Sequence, residues 1–412
     1  MPRRSVADLA LAVRDSGRCV GCGLCATLDN SIVMAISREG FSRPVRNGDH
    51  DPESRRAAVR DFRRACPGLR IDSPQRAAPP QHHDPILGDY LEMWRGWAVD
   101  PAVRARGSSG GVLTALSTWL LKSGVVSGIG TVAASPIEPI RTLPITAVNG
   151  EQMIASAGSR YCPSPTLDNA TVLQTSVAVV AKPCEASALR QLGFQGGVPE
   201  EAGPLKLSFF CAGVPSLRAT KKAITATGAN PDALVELRYR GGGWPGTFRA
   251  RDVEGNGGDL SYDESWGAIL GRDVQWRCKL CPDGVGESAD IVAADFWAAD
   301  DRGYPTFTDA PGESAIIART QRGKDAVLAA AQAGVIEIRP AELGELRQVQ
   351  PLHEYRRSQL FGRLMGARLA GRRVPSYRGF HLLRLGIRRP VKFILRPAVG
   401  TFTRSLARRA TK

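Results

Sequence analysis

Apolar residues along this chain fall into short continuous runs separated by segments of helical periodicity. The runs at 176–181 and 205–210 predict buried strands, and residues 185–192 and 215–225 predict the helices that follow them. Further short strands are predicted at 289–293, 315–318 and 335–338. Because strands alternate with helices, the predicted fold class is α/β, a mixed sheet with flanking helices.

Three cysteines lie within seven residues and a fourth precedes a proline: Cys19, Cys22, Cys25 and Cys66. This spacing suits the loop ligands and the Cys-Pro ligand of a cubane iron–sulfur cluster better than the paired cysteines of a zinc site. Gly21 and Gly23 allow backbone amides to approach the sulfurs. We therefore predict a 4Fe-4S cluster here, with zinc or free thiols as the alternatives.

A second set of cysteines is scattered along the predicted sheet. Cys184 directly follows the first apolar run and Cys211 the second, so both are expected at the carboxyl edge of the sheet. Cys278 and Cys281 form a pair, and we expect all four to hold a second cluster. The alternative is that Cys184 and Cys211 are simply small buried residues. Cys162 is left over and is predicted to be a core thiol.

With 412 residues, the chain is expected to form more than one domain. Residues 1–75 are predicted to be a small ferredoxin-like iron–sulfur module, in which a charged helix at 55–64 leads to its last cysteine. A proline-rich linker is predicted at 76–92, because proline interrupts helices and central strands. The α/β domain then covers 93–350, and a basic tail covers 351–412.

The net charge of +15 resides in the basic tail, which holds 16 Lys and Arg residues and one acid, Glu354. The other residues hold 39 of each sign, so charge gives no argument for nucleic acid as a partner. In the tail, arginines alternate with aliphatic residues, and Pro390 and Pro397 interrupt it. This pattern predicts docking to an anionic membrane surface or an acidic partner subunit, with a solvated arm as the alternative.

The compartment expected from the sequence is a reducing cytoplasm. Ser5 and Asp8 predict the cap and first turn of an amphipathic helix where a secretory segment would have an apolar core. Clustered cysteines in such a compartment are more often metal ligands than disulfides. No apolar run approaches the ~20 residues that cross a bilayer, so any membrane attachment is expected to be peripheral.

A glycine-serine turn that opens a predicted helix is the candidate phosphate-binding loop: Gly107, Ser108, Ser109, Gly110 and Gly111. A helix N-terminus offers unpaired amides, and serine adds hydroxyl donors. The alternative is an ordinary helix start, since the sequence matches neither a Walker nor a GxGxxG motif.

Three other features carry weaker signals. Residues 240–246 are glycine-rich around Trp244, and they predict either a packed hairpin turn or a movable wall against a planar ring. Asp290 and Asp295 are expected at opposite ends of one strand. Five histidines lie in polar loops or the tail without ligand spacing and are assigned no chemistry: His50, His82, His83, His353 and His381.

Taken in chain order, these motifs resemble the beta subunits of coenzyme F420-reducing hydrogenases and dehydrogenases, a family that includes the 7-hydroxymethyl chlorophyll a reductases. The likeness runs from about residue 18 to about residue 380. The matching segments are Cys19-x-x-Cys-x-x-Cys25, Gly107-Ser-Ser-Gly-Gly111, Gly158-Ser-Arg-Tyr161, Lys182-Pro-Cys184, Phe210-Cys-Ala-Gly-Val-Pro-Ser216, Arg240 to Gly246, Cys278-x-x-Cys-Pro-Asp283, Asp290-Ile291 and Asp295-Phe-Trp297.

The resemblance implies a flavin-dependent iron–sulfur oxidoreductase that contains FAD and two 4Fe-4S clusters. Cys19, Cys22, Cys25 and Cys66 look like the ligands of one cluster, and Cys184, Cys211, Cys278 and Cys281 like those of the other. The 107–111 turn falls where the family builds part of its flavin site. The implied partners are a small-molecule hydride donor or acceptor and a redox protein, either a ferredoxin or a hydrogenase or dehydrogenase subunit. The rival interpretation is an electron-transfer subunit without flavin chemistry.

Overall fold

The computed structural model describes residues 4–48, 56–74, 81–193, 203–301 and 305–410. The first of these ranges and the start of the second form a small unit. Its elements are α1 (Val6–Asp15), α2 (Leu24–Leu28), β1 (Ile32–Ile36), β2 (Ser42–Arg46), α3 (Arg56–Ala65) and β3 (Arg70–Asp72).

Helix α1 begins where the sequence predicts it. The Ser5 hydroxyl accepts a hydrogen bond from the Asp8 amide at 3.1 Å, and the Asp8 carboxylate accepts one from the Ser5 amide at 2.9 Å. This capping box satisfies two backbone donors that the first turn would leave unpaired. Helix α3 matches the predicted charged helix and ends one residue before Cys66. Apolar side chains of α1, β1 and α3 surround the cysteines of this unit.

The larger α/β body follows. Its elements are β4 (His82–Asp84), β5 (Gly88–Tyr90), β6 (Glu92–Ala98), α4 (Pro101–Arg106), α5 (Val112–Lys122), β7 (Gly128–Ala134), β8 (Thr142–Ala147), α6 (Gly150–Ala155), β9 (Val177–Val180), α7 (Pro183–Gly193), β10 (Leu205–Phe209), α8 (Leu217–Ala226), β11 (Leu234–Arg238), β12 (Phe248–Asp252), β13 (Gly257–Leu260), β14 (Ile291–Asp295), β15 (Ser314–Ala318), α9 (Gln321–Gln332) and β16 (Ile336–Pro340).

Eight of these strands form one mixed sheet in the order β16-β6-β15-β14-β10-β9-β7-β8. The four central strands β14, β10, β9 and β7 are parallel, and strands at both sides run antiparallel to them. Hydrophobic clusters cover both faces of the sheet, which is why the central strands are almost uniformly apolar. The predicted mixed α/β class is confirmed, and so are the strands predicted at 176–181 and 205–210.

Part of the stretch predicted as a linker is folded. Strands β4 and β5 pair as a hairpin, and the buried carboxylate of Asp84 accepts hydrogen bonds from the amides of Ile86 and Leu87, both at 2.8 Å. An aspartate that closes its own turn in this way stabilises a short hairpin beside prolines. Residues 81–92 therefore belong to the body.

The remaining elements belong mostly to the basic tail. They are α10 (Leu343–Val349), α11 (Pro351–Ser358), α12 (Leu360–Leu369), β17 (Ser376–Arg378), α13 (Leu382–Ile387) and α14 (Lys392–Ala410). Strand β17 pairs in parallel with β3, so the tail returns to the N-terminal unit. Gly362 and Gly366 lie against the backbone carbonyls of Ile394 and Ala398, where any Cβ would clash. The described tail is thus packed helix, not a solvated arm. In the described chain, no helix has the length and hydrophobicity to cross a membrane.

Candidate functional site

The first cysteine set, Cys19, Cys22, Cys25 and Cys66, lines one small cavity inside the N-terminal unit. Gly21 donates its amide to the Cys19 sulfur at 3.4 Å, the kind of contact predicted from the glycines of the loop. Gly21 has φ +76°, and a Cβ there would lie 2.7 Å from the Ser42 carbonyl oxygen. Glycine is therefore required both for the backbone conformation and for the close approach of β2.

The thiols of the first set interact electrostatically with one another. Burial, and then the neighbouring Cys19 sulfur, raises the pKa of Cys66 to about 12. Burial also raises the pKa values of Cys19, Cys22 and Cys25. The surroundings alone thus favour neutral thiols, and a buried set of thiolates needs cationic charge such as iron to compensate it.

The second cysteine set, Cys184, Cys211, Cys278 and Cys281, meets at the carboxyl edge of the sheet. Cys184 lies in the first turn of α7 after β9, and Cys211 follows β10, which is the parallel neighbour of β9. Burial and then Cys278 raise the pKa of Cys211 to about 12. Burial, Glu185 and then Cys281 raise the pKa of Cys184. The structure therefore brings together the four residues that the sequence scatters over three segments.

One short helical turn, Trp276–Leu280, links the two cysteine sets. Buried Arg277 in this turn donates to the Pro67 carbonyl at 2.9 Å and to the Leu280 carbonyl at 3.3 Å. Pro67 directly follows the last cysteine of the first set, and Cys281 follows Leu280. Gln275, just before the turn, donates to the Val20 carbonyl at 3.0 Å. The two sets are consequently held by one continuous network, which the sequence did not reveal.

A cavity of about 340 Å³ opens at the same edge of the sheet, and we call it the sheet-edge cavity. Its floor is formed by the carboxyl ends of the parallel strands, and Cys211 of the second set lies in its wall. Ligand sites in open α/β folds occupy this position, and the volume lies within the range of small-molecule pockets. Cys162, the predicted core thiol, is buried, also borders this cavity and contacts the Thr142 hydroxyl at 2.8 Å.

The predicted phosphate-binding loop borders the sheet-edge cavity with four of its five residues, Gly110 being the exception. Gly110 packs against the backbone of Gly96 and Ser314, where a Cβ would clash. The Ser108 hydroxyl accepts from the Ser159 amide at 2.7 Å, and the Ser109 hydroxyl donates to the Glu313 carbonyl at 2.6 Å. The serine side chains therefore fix the loop, and a ligand would meet its backbone at the start of α5.

Two ion pairs border the sheet-edge cavity, and neither pair was predicted from the sequence. Lys182 donates to the Ser164 carbonyl at 2.8 Å and pairs with Glu185 at 2.7 Å. Arg240 pairs with Asp295 at 2.7 Å, and this pair outweighs the opposing effect of burial and raises the arginine pKa. The sequence signals were a lysine two residues before Cys184 and an arginine directly before three glycines.

The observed packing answers two questions that the sequence raised, one about Trp244 and one about His353. Trp244 stacks on Trp297 with ring centroids 5.7 Å apart, so the packed-turn interpretation of 240–246 is the one that the structure shows. His353, expected in a polar segment, is instead buried against Phe210 and borders the sheet-edge cavity. Helix α11 turns this side chain inward, although charged residues surround it in sequence. Asp290 and Asp295 do lie at opposite ends of β14.

Both cysteine sets have the donor chemistry of iron–sulfur ligands. All nine cysteines lie in described residues, and none forms a disulfide. Among the described residues, no three His, Cys, Asp or Glu side chains converge on a point that would suit one metal ion. A four-iron cluster is larger than one ion, and its four thiolates bind different iron atoms and need not meet at a point. Four thiols that lie near one another without converging on a point therefore fit a cluster better than a single zinc ion.

Fold and site together define an α/β protein with two cysteine quartets, the second of which borders a ligand-sized cavity. Residues 93–169 match the N-terminal domain of the coenzyme F420 hydrogenase/dehydrogenase beta subunit, and residues 174–343 match its C-terminal domain. The chain belongs to this family, and it is of the oxidoreductase kind.

Two relatives and one solved structure show how far the similarity extends. A coenzyme F420 hydrogenase subunit beta from Methanothermobacter thermautotrophicus is 27% identical over 62% of this chain and 87% of its own length. An F420-dependent formate dehydrogenase 1 subunit beta from Methanococcus maripaludis is 25% identical over 53% of this chain and 56% of its own. A chain of the F420-reducing NiFe hydrogenase complex from Methanosarcina barkeri shares the fold, with TM-score 0.50 and 20% identity over 66% of this chain and 91% of that one.

Proposed function

We propose that this chain is an iron–sulfur flavoprotein subunit. It exchanges hydride between FAD and coenzyme F420 or another reducible ring, and it passes single electrons through two 4Fe-4S clusters. The observation that carries the proposal is the position of Cys211, which belongs both to the second cysteine set and to the wall of the sheet-edge cavity. The names of the relatives support coenzyme F420 as the partner molecule.

The residues divide into three groups by role. The first cysteine set holds one cluster and the second set holds the other. The 107–111 loop presents its backbone and the N-terminus of α5 to the flavin, and its serine side chains keep the loop rigid. A flavin bound there supplies two-electron hydride exchange, and clusters supply single-electron transfer.

We further propose the order in which electrons pass through the two cysteine sets. The second set lies nearest the flavin because it shares a wall with the sheet-edge cavity, whereas the first set lines a separate cavity in the N-terminal unit. The first set would then exchange electrons with an external redox protein, either a ferredoxin or a hydrogenase or dehydrogenase subunit. The turn around Arg277 keeps the two sets in fixed relation. A reducing cytoplasm suits nine unpaired thiols.

The decisive experiment is metal and flavin analysis of protein purified without oxygen. The expected result is iron and acid-labile sulfide for two 4Fe-4S clusters together with releasable FAD. Iron without flavin would favour the electron-transfer subunit that lacks flavin chemistry. Stoichiometric zinc in a colourless protein would overturn both proposals.

The proposed order has its own test in a Cys19→Ala, Cys22→Ala variant. Reduction of the flavin by the external protein donor should be lost, while reduction by a small hydride donor should persist. The order is wrong if the protein donor reduces the flavin of this variant at the rate seen in the unchanged protein.

A further inference from the structure

Helices α13 and α14 each present exposed aliphatic side chains, which we call the aliphatic row. Along α14, Val391 just before the helix, then Leu395 and Val399, recur every four residues, and Leu406 follows seven residues later, a spacing that places side chains on one face. Leu383 and Ile387 of α13 show the same spacing. Each of these six side chains is between 43% and 67% exposed, although each is aliphatic.

The face of α14 about a quarter turn from this row is packed. Ile394 and Ala398 meet Gly362 and Gly366 of α12 at backbone contact distance, while Thr401 and Ser405 are buried. Glycines four residues apart allow helices to approach this closely. The exposed row is therefore held on a rigid base, and its side chains cannot turn inward to join the core. Exposed apolar side chains gathered on one side of a helix in this way indicate an interaction site.

The charge around the row identifies its occupant. Residues 381–412 contain nine Lys and Arg residues and no Asp or Glu. Arg384 and Arg388, each one position after a member of the row, also line a cavity of about 650 Å³. Seven arginines in its wall outnumber three acidic residues, Asp72, Asp89 and Glu287. This larger cavity lies away from the sheet-edge cavity and favours anionic groups. A second copy of the chain would bring the same positive charge and be repelled.

We propose that α13 and α14 dock on an anionic phospholipid surface and insert the aliphatic row into the boundary between headgroups and acyl chains. An aliphatic row flanked by arginines is the pattern of helices that lie in a membrane interface. The partly buried Phe402 lies on the same face between Val399 and Leu406, and an aromatic ring among aliphatic residues also suits that boundary. The docked helices lie on the membrane and do not cross it. Such docking would bring the oxidoreductase body close to redox partners at the membrane.

The test is co-sedimentation of the full-length chain with vesicles, using vesicles that contain phosphatidylglycerol and vesicles of phosphatidylcholine alone. The unchanged chain should bind the anionic vesicles. A Leu395→Glu, Val399→Glu variant should bind them at least about tenfold more weakly, because both changes place charge in the apolar boundary. Ile137→Glu is the matched control: Ile137 is 93% exposed, lies outside the tail and should leave binding unchanged.

A second variant, Arg384→Glu with Arg388→Glu, tests the charge contribution and should remove the preference for anionic vesicles. Helix content measured by circular dichroism should be unchanged, because all four altered side chains are exposed. The proposal is overturned if the unchanged chain does not bind anionic vesicles. It is also overturned if the Leu395→Glu, Val399→Glu variant binds these vesicles as strongly as the unchanged chain does. A self-associated chain that this variant converts to monomers, without vesicle binding, would also overturn it. Vesicle binding needs no cofactor, so its failure is distinct from failure of the redox proposal.

Discussion

The two cysteine sets reach similar chemistry by different routes of folding. The first set comes from two nearby segments of one small unit, held by tight glycine turns. The second comes from two strand ends and a distant pair, and it exists only once the sheet has formed. Three of the four cysteines of the first set are buried, whereas those of the second are half-buried. A local set can be isolated within its own unit, while a set at a sheet edge can share a wall with a ligand cavity.

The largest expected effect is on cofactor content, which should differ between variants of the two cysteine sets. Cys22→Ser with Cys25→Ser should remove about half of the iron and leave FAD bound, because this set lies away from the sheet-edge cavity. Cys278→Ser with Cys281→Ser should also remove about half of the iron. The second change should in addition weaken FAD retention, because Cys211 lies in the cavity wall. Iron, sulfide and flavin per chain are the measurements.

Cys162→Ser is the matched control for both pairs, since Cys162 is buried and belongs to neither set. Its iron content should equal that of the unchanged protein. The contrast between the sets fails if both pairs affect flavin equally, and the ligand assignment fails if Cys162→Ser loses iron.

The sequence predicted the local features of this molecule well and the long-range ones poorly. The Ser5 cap, the loop of the first set and the strands before Cys184 and Cys211 all depend on residues close in sequence. Arg277 was missed because its partner Pro67 is 210 residues away. His353 was dismissed because its neighbours in sequence are polar, and only the packing of α11 buries it.

The next largest effect is on the free energy of unfolding, through the turn around Arg277 that links the two cysteine sets. Arg277→Leu removes the donor to the Pro67 carbonyl, whereas the Leu280 carbonyl still accepts from the Tyr377 hydroxyl. Leaving the buried Pro67 carbonyl unpaired costs about 1–3 kcal/mol. Chemical denaturation should show this loss in the free energy of unfolding. Arg249→Leu is the control, because its ion pair with Asp259 is partly exposed and its loss should cost less than about 1 kcal/mol. Equal costs for the two variants would mean that Arg277 does not hold this turn in place.

A smaller effect on stability is expected where the loop of the first cysteine set packs against the α/β body. Gly23 has φ +93°, and a Cβ there would lie 2.5 Å from the Asp168 amide nitrogen. Gly48 also has positive φ, +89°, but nothing lies within 4 Å of its Cβ position. Backbone strain alone should make Gly48→Ala cost about 1–2 kcal/mol, and Gly23→Ala should cost more because the body must move. Thermal unfolding of both variants measures the difference, and equal costs would remove the steric argument.

The smallest effect is a pH dependence confined to the region of the second set. Burial and then the charge of Arg356 lower the pKa of His353 from 6.5 to about 3. Below pH 6.5 the unfolded chain binds a proton at this histidine, but the folded chain does not. The free energy of unfolding therefore decreases as the pH falls toward 3. Between pH 6.5 and 5.5 the loss should be about 1 kcal/mol. His353→Gln should remove this part of the slope, and the exposed His82→Gln should leave it. If His353→Gln unfolds with the original pH slope, then this histidine is not held neutral by the core, and the packing of α11 against the sheet edge is looser than the structure indicates.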